Sequence, residues 1–229
     1  MCLIALAHRA SPQYAFVLAA NRDEDYTRPT FDAHFWSDAP DVLAGRDALH
    51  GGTWLAVSRG GRFAAVTNLR GAAQRSRSRG ALVSDFVRGG DDVHAYADDV
   101  ARHADEYSGF HLLAGTIGGD AMYIAPDAQF ELAPGVHAVS NAPRGEEWPK
   151  TAFAAEFMEH ALSLPRDAIA DALLAFLTTP RNTGAIESEV FITGERYGTR
   201  SSTVIVATQD EVLFVEQSGG ARRDFRFGR

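Results

Sequence analysis

Met1-Cys2-Leu3-Ile4-Ala5-Leu6-Ala7-His8, then after a turn Tyr14-Ala15-Phe16-Val17-Leu18-Ala19-Ala20 running into Asn21-Arg22-Asp23-Glu24, is the stretch whose reading decides the fold. Both apolar runs fall far short of the ~20 residues of a membrane span, and neither alternates with polar residues. Runs of this kind are strands covered on both faces. Ala10-Ser11-Pro12-Gln13 is turn chemistry, so the two strands form a hairpin. A hairpin returns Arg22, Asp23 and Glu24 to the neighbourhood of Cys2, although charged residues there are equally what a surface loop carries. Cys2 is the single cysteine of 229 residues, which excludes a disulfide framework and the usual zinc clusters.

Outward from the hairpin, residues 21–52 read as polar and irregular. Residues 53–58 and 62–68 flank Gly60-Gly61 as a second hairpin, and 110–116 and 121–125 flank Gly118-Gly119-Asp120 as a third. Helical spacing covers 81–88 and 93–104, the latter with Val93, Tyr96, Ala97 and Val100 on one face. Residues 136–140 make a short strand. Helices return over 151–164, stopped by Pro165, and after Asp167, a candidate N-cap, until Pro180. Residues 189–193, 202–208 and 212–217 read as strands. Strands, then helices, then strands give an α+β plan in which sheet is covered by helices. No repeat or linker divides the chain, so residues 1–229 are expected to be one domain.

Hydrophobic residues make up 45% and charged residues 23%, a globular composition. Thirty acids against 22 bases leave a net charge of -8, the wrong sign for a nucleic-acid partner. No secretory signal, lipidation box or N-x-Ser/Thr acceptor is legible, which points to the cytoplasm.

If Met1 is removed, Cys2 carries a free α-amine. An α-amine titrates near ~7.7–8.0 and a thiol near ~8.5, so one residue supplies both nucleophile and base near neutrality. The alternative is a small buried hydrophobe at the head of a strand. An arginine beside the thiol would favour the thiolate. Asn68 and Asn141 stand at strand ends, where an amide can donate to a developing oxyanion or simply form a turn.

Ala19-Ala20-Asn21-Arg22-Asp23-Glu24 with Arg28-Pro29 resembles the motif that names the NRDE family, also called the transport and Golgi organisation family. Met1-Cys2-Leu3, Gly51-Gly52-Thr53-Trp54-Leu55, Thr67-Asn68, Ser78-Arg79-Gly80, Ser140-Asn141 and Tyr197-Gly198-Thr199-Arg200-Ser201-Ser202-Thr203-Val204 extend the likeness along the chain. The resemblance implies a four-layer αββα sandwich like that of N-terminal-nucleophile (Ntn) hydrolases. Within them the chain is most similar to the cysteine group containing bile-salt hydrolases and penicillin V acylase. On that resemblance Cys2 is the nucleophile of a non-peptide amide or ester hydrolase and Arg22 the thiolate partner. Asn68 and Asn141 serve the oxyanion and amine, and Arg200 is the late arginine. The hydrolases' R-x-x-D spacing selects Asp25 as the acid, whereas the NRDE motif selects Asp23, which is preferred. Asn21, Trp54 and Arg79 are the candidate substrate contacts.

The family is also tied to haem trafficking and acyl-lipid metabolism, so a non-catalytic carrier of haem or an acyl lipid is the alternative. No cofactor is required; haem would be cargo. Among eight histidines without a metal-like cluster, His8 and His50 are the least implausible ligands. Arg75-Ser76-Arg77-Ser78-Arg79 reads as a solvated loop or as an anion-binding rim, and Trp36, Trp54 and Trp148 as core or pocket walls.

Overall fold

The computed structural model describes residues 2–229. The expected removal of Met1 therefore lies outside the described residues. The chain divides into two compact units. One takes residues 1–27 and 134–229, the other 28–133. The first is built from both ends of the chain, and no single cut separates the units. A linear search for linkers has no signal to find in such an arrangement.

The first unit is a six-stranded antiparallel sheet. It contains β1 (Leu3–His8), β2 (Phe16–Asp25), β10 (Gly135–Val139), β11 (Tyr197–Ala207), β12 (Glu211–Ser218) and β13 (Ala221–Gly228), in the order β10-β1-β2-β11-β12-β13. The opening hairpin is as read: Ala5 lies opposite Ala19 and Leu6 opposite Leu18. All six β1 residues are buried. Leu3, Ala5, Ala7, Val17, Ala19, Val204 and Val206 cluster with Met158 of α3 (Pro149–Ala161) and with Ile169, Leu173 and Leu177 of α4 (Ile169–Thr178). Period-2 alternation makes that one face of the sheet. Pro149 opens α3 at a first-turn position where its missing N–H costs nothing.

The second unit is a seven-stranded antiparallel sheet of β3 (Thr30–Trp36), β4 (Ala39–Asp47), β5 (Leu55–Ser58), β6 (Arg62–Asn68), β7 (Phe110–Thr116), β8 (Ala121–Ala125) and β9 (Ala128–Glu131), paired in chain order. Leu82, Val83 and Phe86 of α1 (Arg79–Arg88) and Val93, Ala97 and Val100 of α2 (Val93–Arg102) pack on its Val42, Ala64, Leu112 and Ile124 side. The Ser78 hydroxyl caps α1 at Gly80 N–H, and the Asp92 carboxylate caps α2 at His94 and Ala95 N–H.

The structure corrects the sequence reading at several places: residues 21–25, read as irregular, continue β2, and β9 is a strand the sequence reading passes over. Residues 30–47, read as irregular, form β3 and β4, because β3 is an edge strand whose half-exposed face is polar. Residues 221–228 form β13, whose Arg and Asp residues suit a solvated edge and disguise it as a tail. Residues 189–193, read as a strand, lie outside every strand. The residue capping α4 is Ala168, without a side-chain bond, rather than Asp167. Among the described residues no helix is long and apolar enough to cross a membrane.

Gly198 of β11 admits the Tyr26 ring. A Cβ there would run into the Tyr26 hydroxyl and lie 2.5 Å from the Ile192 carbonyl oxygen. Gly198→Ala is expected to lower unfolding free energy by about 1–3 kcal/mol in urea melts. Gly60→Ala, which meets only Ser58 Oγ at 3.8 Å, is expected to stay within about 0.5 kcal/mol of wild type.

Candidate active site

Strand registers decide what can meet Cys2. Leu3 lies opposite Asn21 on β2, and Ile4 opposite Val139 on β10. One residue beyond the first pairing, Cys2 faces Arg22; two residues beyond the second, it faces Asn141. Arg22 in turn lies opposite Ser201, and Ser201 opposite Ser218. Cys2, Arg22, Ser201 and Ser218 thus form a row on the sheet face turned away from α3 and α4. Arg22, Asn141 and Ser201 are buried and Cys2 is half-buried.

Hydrogen bonds tighten the picture. Cys2 Sγ donates weakly to the Asp23 carbonyl oxygen at 3.9 Å, and Tyr197 Oη donates to the same oxygen at 3.3 Å. Thr199, opposite Asp23 in the register, donates its hydroxyl to Asp23 Oδ1 at 2.5 Å and accepts Ile192 N–H at 2.9 Å. Arg22 Nη2 pairs with Glu24 Oε2 at 3.3 Å. Lys150, in the first turn of α3, has no exposed surface, and its Nζ lies 5.4 Å from the centre of the Trp148 ring.

The charges act on one another. Burial pushes the Cys2 thiol above its ordinary value; the Asp23 carboxylate adds to this, while the Asp23 backbone bond and the Arg22 guanidinium oppose it. Burial lowers the Lys150 ammonium, and Asp23, Cys2 and Glu187 resist that change. Burial likewise raises the Tyr197 phenol, reinforced by Cys2 and Asp23. A buried carboxylate needs cationic or donor company, and Lys150 and Thr199 supply it to Asp23.

Asp25, the rival acid, is engaged elsewhere. It accepts Thr27 N–H at 2.9 Å, the Thr27 hydroxyl at 2.6 Å and Arg196 Nε at 2.8 Å. These bonds, led by those from Thr27, hold its pKa at about 2. Asp23 is therefore the aspartate placed at the thiol.

Asn21 spends its amide on the protein's own backbone, donating Nδ2 to the carbonyls of Leu177 and Val190 at 2.8 Å each. It fastens the end of α4 and the segment around residue 190 beneath the sheet. Arg200 stands at a β-bulge and donates Nη1 to Tyr26 O at 2.8 Å and Asp25 O at 3.5 Å.

Asn68, Trp54 and Arg79 are positioned by the second unit. Asn68 closes β6 opposite Phe110. Trp54 lies over Gly45, where a Cβ would run into its ring, and Arg79 donates Nη1 to Gly109 O at 3.3 Å. In the basic run, Arg77 pairs with Glu106 and Asp85. Trp36 and Trp148 are both buried. His8 is buried and accepts Arg9 Nε on Nε2 at 3.0 Å, whereas His50 is exposed. Among the described residues no group of three or more His, Cys, Asp or Glu is arranged to hold a metal ion.

Lys150, Thr199 and Tyr197 were not singled out from sequence. Thr199 and Tyr197 sit inside the quoted Tyr197–Val204 box without an evident role, and Lys150 follows Pro149 as an ordinary first-turn residue would.

The fold has solved counterparts. All of the chain aligns with a variant of conjugated bile acid hydrolase from Clostridium perfringens, at a TM-score of 0.56 and 11% identity over 92% of that chain. It also aligns along its full length with penicillin V acylase from Agrobacterium tumefaciens, at 0.54 and 12% over 86% of that chain. The fold is that of the Ntn hydrolases, the αββα class expected from sequence. At such identities the likeness is one of fold alone.

The family Transport and Golgi organisation 2 matches residues 1–219, and the chain belongs to it. The Transport and Golgi organization protein 2 homolog of Bos taurus is 36% identical over 256 residues, and that of Homo sapiens 32% over 257. Each alignment covers 95% of this chain and 93% of the relative.

The electrostatics can be read from the pH dependence of Cys2 alkylation by iodoacetamide, followed by mass spectrometry. Arg22→Gln removes a charge that favours thiolate and is expected to move the inflection to higher pH. Asp23→Asn removes a charge that opposes thiolate and is expected to move it to lower pH. Two unmoved inflections would break the assignment of both groups to the thiol.

Proposed function

We propose that the protein is an N-terminal-cysteine hydrolase acting on a non-peptide amide (C–N) or ester bond of an acyl-bearing small molecule. The observation that supports this most is the gathering of Arg22, Asp23 and, by register, Asn141 about Cys2, the residue that Met1 removal would expose. In this reading Cys2 Sγ attacks the substrate carbonyl carbon, and the thiol proton passes to the free α-amine. The tetrahedral oxyanion is met by the Asn141 amide. The C–N or C–O bond breaks, the α-ammonium returns its proton to the leaving amine or alkoxide, and a thioester remains. Water then attacks the thioester, releasing the acid and restoring the thiol.

Arg22 stabilises the thiolate during attack. Asp23, held by Thr199 and offset by Lys150, fixes the backbone carbonyl on which the thiol rests. A lone thiol with no disulfide suits a reducing compartment, and the cytoplasm is the one we propose.

The competing reading, a carrier of haem or an acyl lipid, assigns the thiol no chemistry. The two separate on one variant. With an acyl amide and ester panel, Cys2→Ala is expected to lower turnover by about a thousandfold or more. Intact mass of active protein is expected to lack one methionine residue. Retained turnover in Cys2→Ala, or Met1 present in active protein, would sink the mechanism. A haem Soret shift that persists in Cys2→Ala, with no turnover in either protein, would establish the carrier.

A further inference from the structure

Where β11 and β12 approach the Gly219-Gly220 turn, the first unit carries a half-open cavity of about 420 Å³. That volume accommodates a small organic group. Thr199, Arg200, Ser201, Ser202 and Gln217 contribute to its walls. Among the described residues Arg200 is the one charged group lining it, in a chain of net charge -8. Its guanidinium offers an anion a charge-assisted partner.

The Arg200 side chain is prepared for a ligand. Its Nη1 is tethered to the carbonyls of Tyr26 and Asp25, which fixes the guanidinium plane and leaves Nε and Nη2 uncommitted among the described residues. Two serines border the cavity from opposite faces of β11, Ser201 on the face of Arg22 and Ser202 on that of Asn21. Ser201 and Ser202 are 4% and 1% exposed, and neither Oγ has a hydrogen-bond partner among the described residues. A buried hydroxyl without a partner is unfavourable, and a ligand oxygen entering the cavity would relieve it. At the turn, φ values of 55° and 81° require glycine, so no side chain closes the rim there.

The row across the sheet gives this cavity its place. Ser201 lies two strands from Cys2, with Arg22 between them, a span of about 10 Å at ordinary strand spacing. We propose that the cavity binds an anionic oxygen group, a carboxylate or a phosphate, carried by the substrate whose acyl carbonyl is attacked at Cys2. This rests on the hydrolase reading for the word substrate; the anion site itself does not.

Calorimetric titration of the full chain with inorganic phosphate and, separately, with succinate tests the site and tells phosphate from carboxylate. Saturable binding of at least one probe at one equivalent is expected. Arg200→Gln should weaken it by about tenfold or more, as loss of a charge-assisted pair does. Ser201→Ala/Ser202→Ala should weaken it less, and Cys2→Ala and Arg102→Gln not at all. The serine variant removes only unpartnered hydroxyls, so it carries the test if Arg200→Gln fails to melt cooperatively. Absence of binding by both probes, or binding unchanged in both the arginine and the serine variants, overturns the proposal. Turnover that depends on Cys2 without anion binding would reject the cavity alone; anion binding without turnover would reject the hydrolase alone.

Discussion

A carboxylate buried at the end of a strand has to be compensated, and the candidate site is arranged around that requirement at Asp23. Its side chain takes the Thr199 hydroxyl, and the Lys150 ammonium, with no exposed surface, lies within its field. Its backbone carbonyl receives both the Cys2 thiol and the Tyr197 phenol. Removing the carboxylate would leave Lys150 a buried cation with less to balance it, and removing Lys150 would do the reverse. β1, β2, β11 and α3 are tied at this point, so the surroundings of the thiol are set by electrostatic necessity as much as by packing.

The same sheet supports and exposes chemistry on different terms. On its helical side Asn21 is consumed in holding backbone carbonyls at the end of α4 and near residue 190. On the other side the row of Cys2, Arg22, Ser201 and Ser218 is polar and runs to the cavity at Arg200. Alternation along a strand separates these duties: consecutive residues of Asn21-Arg22 point opposite ways, so one motif serves both scaffold and site. A short motif therefore does not assign one role to all its letters.

Legibility from sequence followed burial. β1, β2, β5 to β8 and the cores of all four helices were evident because their apolar residues repeat with the period of a covered strand or of a one-sided helix. β3 and β13 were not, since edge strands face water and their polar residues imitate loops. Residues 189–193 erred the other way. Val190 and Ile192 are buried, but as contacts of an irregular segment pinned by Asn21 and Thr199. Of the site, Cys2, Arg22, Asp23 and Asn141 were named from motifs, whereas Lys150, Thr199 and Tyr197 had no local pattern to announce them.

The sequence by itself determined the antiparallel hairpin with a cysteine at its mouth, the α+β class and the family, because these depend on local periodicity, turn chemistry and ordered motifs. Only the tertiary structure decided that Asp23 rather than Asp25 accompanies the thiol. A two-residue difference along a strand places one carboxylate beside Lys150 and Thr199 and leaves the other to Thr27 and Arg196. It alone showed that Arg200 meets unpartnered serines in a cavity. Registers between strands nearly 180 residues apart are set by long-range pairing, which no window of sequence contains.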